Sequence, residues 1–359
     1  MTEPAIADYP EGSSVLVIGA SGVIGSAVVR HLAGRAGIAV IAAARRPEPP
    51  AAANVVPMAV DLTGNAEAPD GTLLRSVTHL VYCAYVDASG WKAQNKPNAE
   101  LFAAAMDFAE HHCPGLRHVT LMQGMKAYGS HLGPFKTPAK ESDPRIAQPH
   151  FYYDQEDDLL GRSAKRGWDW SVLRPHVVIG PARRSPLNLA AVLAVYGALC
   201  RARGEALTFP GPEAAFDAVY QATDAGLLAR AVEWAGADPR AAGEVFNITN
   251  GDFFRWRHLW PAIAAAMDLE PGPVRPVCLA ERMSGADTEW DRLVSAHGLE
   301  PNRLGDLVSW PFADYVFNTT HDVMADTLKC RQAGFLAFAE SEKVIIDRLN
   351  DLRDLRIVP

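Results

Sequence analysis

The chain lacks the features that define several common classes of protein. Its 34 Lys and Arg residues are outnumbered by 42 Asp and Glu residues, so the formal net charge is -8 at pH 7. Proteins that bind nucleic acid instead concentrate basic residues to meet phosphate groups, so we expect no nucleic-acid partner. The five cysteines are scattered at positions 83, 113, 200, 278 and 330 without a CxxC pair, and we expect reduced thiols and no metal site.

Long apolar segments are also missing. The longest apolar run, residues 189–200, is about 12 residues long, whereas a helix that crosses a bilayer needs about 20. The N-terminal residues MTEPAIADYPEGSS contain neither the basic start nor the apolar stretch of a secretory signal. We therefore expect a cytoplasmic protein without a membrane partner.

The most informative segment that is present is VLVIGASGVIG, residues 15–25. An apolar, strand-like run leads into Gly19, Gly22 and Gly25, and the helical pattern SAVVRHLAG follows directly. Glycines in such a turn allow positive φ and a close approach of the backbone to a pyrophosphate, which then lies at the positive end of the helix. The spacing and its strand–helix context predict a dinucleotide-binding unit.

Strand-like and helix-like patterns alternate from residue 14 to about residue 180, which is typical of a parallel sheet with crossover helices. The fold class is therefore α/β, a Rossmann-type doubly wound parallel sheet with a smaller, mostly helical C-terminal lobe. The predicted strands are Val15–Ile18, Val40–Ala43, Val56–Val60, His79–Cys83, His118–Met122, Ser171–Arg174 and a returning strand, Phe246–Ile248. The predicted helices between them are Ser26–Ala33, Ala99–His111 and Tyr153–Arg166.

The later segments, rich in Trp, Pro and apolar helix formers, break this alternation and predict a lobe that binds substrate. We assign residues 12–180 to an NADP-binding domain that is completed by about 213–250. Residues 181–212 and 251–335 would form the substrate-binding lobe, and 336–359 a C-terminal helix and tail.

The choice of cofactor depends on the end of the second strand. Arg45 and Arg46 lie there in the sequence AAARRP, where an NAD-binding site usually carries Asp or Glu and where Arg favours the 2′-phosphate of NADP. Asp61, after the third strand, is suited to accept a hydrogen bond from the adenine amino group, although an Asp in this position is as often a helix cap.

Two further segments carry a family resemblance. LMQGMKAYGSHLGPF (residues 121–135) and HFYYDQEDDLL (150–160) resemble the TGxKHYxGPF and NFYYxxED motifs of the progesterone 5β-reductase and iridoid synthase-like family. This family is an atypical branch of the extended short-chain dehydrogenases. ARRP, WSVLRPHVVIG, TNGDFFRWRHLW and the C-terminal GFLAFAESEKVIIDRLNDL extend the resemblance over nearly the whole chain.

The resemblance implies NADPH-dependent 1,4-reduction of the activated C=C bond of a small apolar enone or enal. The family's catalytic pair falls on Lys126 and Tyr152, and Tyr152 also borders the cofactor; the neighbouring Tyr153 would exchange roles with it if the helix began one residue later. The other cofactor contacts that the resemblance implies are Ser21, Gly22, Val23, Arg45, Arg46, Asp61, Leu62, Ala84, Val178, Ser185, Pro186 and Leu187. The chain departs from the motifs at Met122-Gln123, Ala127 and His150, which affects the expected substrate.

The chemistry can also be approached from the residues. Ordinary short-chain dehydrogenases place a Lys four residues after the Tyr, but here that position is Glu156, and a carboxylate would raise the pKa of a tyrosine instead. Lys126, after the fifth strand, lies at the sheet edge where doubly wound folds bind ligands. A Tyr152 hydroxyl and a Lys126 ammonium would stabilise an enolate oxygen, which suits conjugate reduction better than carbonyl reduction.

The remaining expectations concern the pocket and the alternatives. Five residues are candidate pocket walls: Tyr85, Met125, Tyr128, Phe135 and Phe216. An NADP-dependent carbonyl reductase or epimerase of the extended short-chain class is one alternative function, and a non-catalytic NADP-binding redox sensor is another. The Ala- and Phe-rich segment 99–111 is compatible with a homodimer and equally with packing within one chain.

Overall fold

The computed structural model describes residues 7–64, 71–88, 90–182 and 184–359. Its main sheet contains seven strands, all parallel, and four shorter strands form two small parallel pairs. The strands are β1 (Ser14–Ile18), β2 (Ala39–Ala44), β3 (Val55–Ala59), β4 (His79–Tyr82), β5 (His118–Met122), β6 (Asp169–Pro175), β7 (Val178–Ile179), β8 (Leu207–Phe209), β9 (Thr223–Asp224), β10 (Glu244–Ile248) and β11 (Pro271–Val274).

The order of the main sheet is β10-β6-β5-β4-β1-β2-β3. From β1 the chain adds β2 and β3 on one side. It then crosses back and adds β4, β5, β6 and finally β10 on the other side of β1. Such an order is that of a doubly wound Rossmann sheet, whose ligand crevice lies beyond the carboxyl ends of the strands, at the switch between β1 and β4. The predicted fold class is confirmed.

Helices cover both faces of the sheet and form most of the lobe beside it. They are α1 (Val23–Leu32), α2 (Gly71–Leu74), α3 (Trp91–His112), α4 (Phe151–Arg166), α5 (Leu189–Ala202), α6 (Glu213–Asp217), α7 (Ala225–Ala237), α8 (Trp256–Ala266), α9 (Leu279–Arg282), α10 (Asp287–His297), α11 (Leu304–Leu307), α12 (Trp310–Phe317), α13 (Leu328–Gln332) and α14 (Ser341–Asp354). Two short 3₁₀ helices occupy Met125–Tyr128 and Pro239–Ala241.

The predicted strands are present with shifts of at most two residues at either end, but the three predicted helices all begin too late. The largest error is α3, which begins at Trp91 instead of Ala99 and runs through Pro97. Side chains of its first turns hold this extension in place. Asn98 bonds both the N–H and the carbonyl of Val86, and Gln94 donates to the carbonyl of Ala88. These tertiary contacts outweigh the usual cost of an interior proline.

Three apolar cores organise the molecule. Helices α1 and α7 cover one face of the sheet, and α3 and α4 cover the other. The third core lies in the lobe, where α5, α8, α12 and α14 surround Trp256, Trp260 and Phe317, which are all at most 1% exposed. The division into domains stays a prediction.

All five cysteines are free thiols. Within residues 7–64, 71–88, 90–182 and 184–359, no helix has both the length and the apolar character needed to cross a bilayer.

Candidate active site

The glycine loop between β1 and α1 lies at the carboxyl edge of the sheet. Gly19 has φ of +87°, and a Cβ atom there would lie 2.7 Å from the amide nitrogen of Ala84. A Cβ on Gly25 would collide with the carbonyl oxygen of Gly19, whereas one on Gly22 would lie 3.5 Å from that oxygen, at ordinary contact distance. Gly19 and Gly25 are therefore needed for the fold of the loop. Gly22 is the N-cap of α1 and, as a glycine, provides no side-chain cap. The N-terminus of this helix is therefore suited to a phosphate.

Several of the other predicted cofactor positions surround this loop. The Ser185 hydroxyl accepts a hydrogen bond of 3.3 Å from the amide of Val23, at the first turn of α1. Pro186 and Leu187 follow it, and Ser309 donates to the Pro186 carbonyl over 2.9 Å. Ser185, Pro186 and Leu187 are half-buried. They link the glycine loop to the start of α12.

The turn before Val178 has an unusual backbone. Val177 has φ of +33°, a conformation that costs a β-branched residue about 1–3 kcal/mol. Thr223 holds it from both sides: its hydroxyl accepts from the amide of His176, and its own amide donates to the Val177 carbonyl. Val178 begins the short strand β7 and is half-buried.

The opposite end of the crevice carries the predicted adenosine contacts. Arg45 and Arg46 directly follow β2 and are exposed, and within the part of the chain that the structure describes neither forms an ion pair within 4 Å. Asp61 is exposed and Leu62 is buried. One oxygen of Asp61 accepts both the amide and the hydroxyl of Thr63. These bonds, the desolvation that opposes them and the nearby Arg45 leave the pKa of Asp61 lowered.

Lys126 lies in the 3₁₀ helix that follows β5, at the same sheet edge. It is half-buried, and burial lowers the pKa of its ammonium while the nearby Asp87 carboxylate opposes that shift. Its Nζ lies 5.7 Å from the centroid of the Tyr315 ring. Tyr315 belongs to α12, so the lobe meets the sheet edge at Lys126.

Tyr152 is the second residue of α4, and its hydroxyl lies beside Gly124, two residues before Lys126. A Cβ on Gly124 would lie 3.3 Å from both the Tyr152 hydroxyl oxygen and the Pro175 carbonyl, so the absence of a side chain at 124 makes room for this hydroxyl. Burial raises the pKa of Tyr152, Tyr315 adds to the increase and Arg174 opposes it. The hydroxyl therefore stays protonated at neutral pH and can donate a hydrogen bond. Tyr315 thus neighbours both predicted catalytic residues.

The adjacent Tyr153 has a different role. Helix α4 begins at Phe151, two residues before the predicted start. The Tyr153 side chain is buried, and its hydroxyl donates to the carbonyl of Ala127 over 2.6 Å and accepts the amide of Ile146 over 3.0 Å. Because these backbone bonds use the Tyr153 hydroxyl, the geometry favours Tyr152 as the tyrosine of the site.

Glu156, at the position of the usual lysine, is paired with arginines. Its two carboxylate oxygens bond Arg174 over 2.8 Å and Arg145 over 2.9 Å. The negative charge that the sequence places one turn after Tyr152 is therefore compensated from two sides.

The five candidate pocket residues lie in different surroundings. Tyr85 is half-buried; burial raises its pKa, and the nearby Tyr152 adds to that increase. Met125 is buried beside Lys126 in the 3₁₀ helix. Phe135 packs against the lobe core, with its ring 6.1 Å from that of His321. The Phe216 ring lies 4.7 Å from that of Phe209, and the Arg257 guanidinium carbon lies 5.0 Å from its centroid. Tyr128 is buried and its hydroxyl bonds Asn247 and Arg174.

Three further residues lie near the pair, and the sequence predicted a role in the site for none of them. Tyr315 gave no motif signal. His150 is the N-cap of α4, where its Nδ1 accepts the amide of Tyr152 over 3.2 Å. Burial, with His131 and Lys126 nearby, lowers its pKa to about 3. Arg174 could have been noticed as a charge in the otherwise apolar strand WSVLRP, because a buried charge requires partners.

The doubly wound sheet and the glycine loop at its carboxyl edge are those of an oxidoreductase of the extended short-chain type. Residues 65–359 match the family model described as a PRISE-like Rossmann-fold domain. The chain is 32% identical to (S)-8-oxocitronellyl enol synthase of Catharanthus roseus over 97% of this chain and 92% of that protein. It is 32% identical to 3-oxo-Delta(4,5)-steroid 5-beta-reductase of Arabidopsis thaliana over 80% of this chain and 76% of that protein. The chain belongs to the PRISE-like family.

Solved structures share the fold at low identity. UDP-N-acetylglucosamine 4-epimerase of Methanobrevibacter ruminantium M1 aligns with a TM-score of 0.67 at 15% identity, covering 95% of this chain and 98% of its own. UDP-glucose 4-epimerase of Bifidobacterium longum, solved with NAD+ and UDP, aligns with a TM-score of 0.64 at 16% identity, over 95% and 98% of the two chains. At these identities the similarity shows the fold alone.

Proposed function

We propose that this protein catalyses the NADPH-dependent 1,4-reduction of the activated C=C bond of small apolar enones or enals. The observation that carries the proposal is the arrangement around Tyr315, which neighbours both Lys126 and Tyr152 while Glu156 is held by two arginines. Relatives named as an 8-oxocitronellyl enol synthase and a steroid 5-beta-reductase support a terpenoid, steroid or smaller enone as the substrate class.

The residues present fit NADPH. Gly19 and Gly25 shape a loop that no larger residue could form, and the N-terminus of α1, whose N-cap glycine has no side chain, suits a pyrophosphate. Arg45 and Arg46 follow β2, where a 2′-phosphate would be held by charge-assisted bonds worth about 1.5–3 kcal/mol each. When bound, NADPH supplies the hydride that reduces the β-carbon.

The role of the chain's own residues is to stabilise the oxygen of the substrate. Reduction at the β-carbon shifts negative charge to the carbonyl oxygen and yields an enolate. The protonated Tyr152 hydroxyl donates a hydrogen bond to that oxygen, and the Lys126 ammonium adds a positive charge. Each such donor in a preorganised site is worth about 10²–10³ in rate. The enolate then takes a proton from water at its α-carbon, so no side chain has to release one.

The two alternatives make different predictions. A carbonyl reductase has to protonate the oxygen fully, and a lysine one turn after the tyrosine normally supports that step; here Glu156 occupies the position. A redox sensor would bind NADPH without consuming it. Neither alternative requires Lys126 and Tyr152 to approach one ring of the lobe.

The test is product identification. The pure protein is incubated with NADPH and with 2-cyclohexenone, progesterone or an acyclic monoterpene dialdehyde, and products are identified by mass spectrometry. NADPH deuterated at the reactive carbon shows which carbon receives hydride. We expect a saturated carbonyl product with deuterium at the β-carbon. An allylic alcohol would support the carbonyl reductase instead, and tight NADPH binding without consumption would support the sensor.

A further inference from the structure

A buried arginine is linked to Tyr152 through one intervening side chain. The Arg174 side chain, near the end of β6, is only 6% exposed. Its guanidinium donates to three groups: Nε to the Gln123 side-chain oxygen over 2.9 Å, one terminal nitrogen to the Tyr128 hydroxyl over 3.1 Å, and the other to Glu156 over 2.8 Å. Each of the three guanidinium nitrogens therefore has a partner, which a charged group in an apolar strand requires.

Gln123 connects this arginine to Tyr152. Its side-chain oxygen accepts from Arg174, and its side-chain nitrogen donates to the main-chain carbonyl of Tyr152 over 2.7 Å. Gln123 is buried and immediately precedes Gly124, where a Cβ would lie 3.3 Å from the Tyr152 hydroxyl oxygen. The relay therefore fixes Tyr152 at its backbone, next to the residue that leaves room for its hydroxyl.

Arg174 also acts on Tyr152 through its charge. It opposes the effect of burial on the ionisation of Tyr152, and does the same for Tyr153. In ordinary short-chain dehydrogenases the cation that tunes the tyrosine comes from the same helix. Here Glu156 occupies that position and Arg174, from the neighbouring strand, pairs with it.

We propose that Arg174 and Gln123 are positioning residues for Tyr152, which they hold through a relay from guanidinium to amide to main-chain carbonyl. The inference rests on the proposed function for its kinetic readout. It adds two residues that act through Tyr152 and do not contact the substrate.

The test avoids removing Arg174, because that variant would leave the half-buried Glu156 without its inner partner and would destabilise the protein. Gln123→Met keeps the shape of the side chain, removes both relay bonds and leaves the Arg174–Glu156 pair intact. Arg145→Met is the comparison variant, because it removes the outer partner of Glu156 without touching the relay, and it therefore measures how much of any loss in rate comes from the charge of Glu156 alone. Thermal melting identifies any variant that fails to fold.

A double-mutant cycle separates positioning from general damage. We expect Gln123→Met to lower kcat about tenfold with little change in KM, because small displacements of a reacting group are costly. In a Tyr152→Phe background the same change should have almost no further effect, since the hydroxyl that it positions is gone. Multiplicative effects in the two backgrounds, or an equal loss in Arg145→Met, would overturn the proposal.

A second readout does not depend on activity. Tyrosine labelled with ¹³C at Cζ gives one signal per residue, and the Tyr152 signal is identified by its loss in Tyr152→Phe. Gln123→Met should shift or broaden this signal, and Arg145→Met should leave it unchanged. A Tyr152 signal that is identical in Gln123→Met refutes the relay. A protein that reduces no enone but shows the shift contradicts the proposed function and leaves the relay supported.

Discussion

Removing the hydroxyl from each of the two adjacent tyrosines distinguishes catalysis from structure. Tyr152→Phe removes the hydroxyl that we propose donates a hydrogen bond to the enolate oxygen. This hydroxyl lies beside Gly124, where the lack of a side chain leaves room for it. Loss of one donor of this kind costs about 10²–10³ in rate. We therefore expect kcat for enone reduction to fall by about that factor, while NADPH affinity and the free energy of unfolding stay nearly unchanged.

Tyr153→Phe is the matched control because it makes the same chemical change one residue further along α4. It removes the hydrogen bond that the Tyr153 hydroxyl donates to the Ala127 carbonyl and the one that it accepts from the Ile146 amide. Tyr153 is only 8% exposed. Each bond contributes about 0.5–1.5 kcal/mol, so we expect the free energy of unfolding to fall by about 1–3 kcal/mol. The rate at saturating substrate should stay close to that of the unchanged protein.

The assay is the loss of NADPH absorbance with 2-cyclohexenone at several concentrations, with urea unfolding of the same preparations. The reasoning predicts opposite patterns for the two variants: a slow, stable Tyr152→Phe and an active, less stable Tyr153→Phe. The reverse pattern would show that Tyr153 is the catalytic tyrosine. An undiminished rate in Tyr152→Phe would remove this hydroxyl from the mechanism.

Three further predictions concern the cofactor and stability. Arg45→Asp combined with Arg46→Ala should shift the preference from NADPH toward NADH, measured as the ratio of kcat/KM for the two cofactors; an unchanged ratio would mean that the 2′-phosphate is held elsewhere. Gly25→Ala should lower the melting temperature of the protein without cofactor, because the new Cβ meets the Gly19 carbonyl, whereas Gly22→Ala should melt normally and lose NADPH affinity; equal melting temperatures would contradict the packing argument. Burial lowers the pKa of His79 to about 4 and that of His118 to about 3. Stability from these neutral rings is complete above the unfolded pKa of about 6.5 and is lost as the pH falls, by up to about 1.4 kcal/mol per pH unit for each ring. Urea midpoints at pH 7 and pH 5 should show this loss, and His118→Asn should reduce it; a slope that this change leaves unaltered would assign the loss to other groups.

The sheet could be predicted from the sequence because its information is local. Each strand is a short apolar run, and each loop at the carboxyl edge carries a recognisable residue: glycines after β1, arginines after β2, a lysine after β5. All seven strands are parallel, so the residues that follow them lie at one edge of the sheet. This placement can be predicted without knowing which of these residues contact each other.

Tyr315 could not be predicted, because its place depends on how the lobe packs. It lies more than 160 residues from Tyr152 in the sequence, on the short amphipathic helix α12, whose pattern alone only indicates a buried face. The start of α3 was missed for a related reason. Its first turns are held by bonds from Asn98 and Gln94 to the loop after β4, and no propensity encodes such contacts.

The Glu156 ion pairs bear on the kind of reaction that this site supports. An isolated carboxylate one turn after Tyr152 would repel an enolate and disfavour its formation. Arg174 and Arg145 both bond this carboxylate, and Lys126 adds a further positive charge beside Tyr315. The Glu156 carboxylate is therefore paired with two guanidinium groups, while the Lys126 ammonium lies near Tyr315, which also neighbours Tyr152. In the proposed function these cations stabilise the negative charge of the enolate, while burial, which raises the pKa of Tyr152, keeps its hydroxyl a hydrogen-bond donor that does not readily give up its proton. This arrangement supports the proposed route through an enolate over a route that must protonate the oxygen.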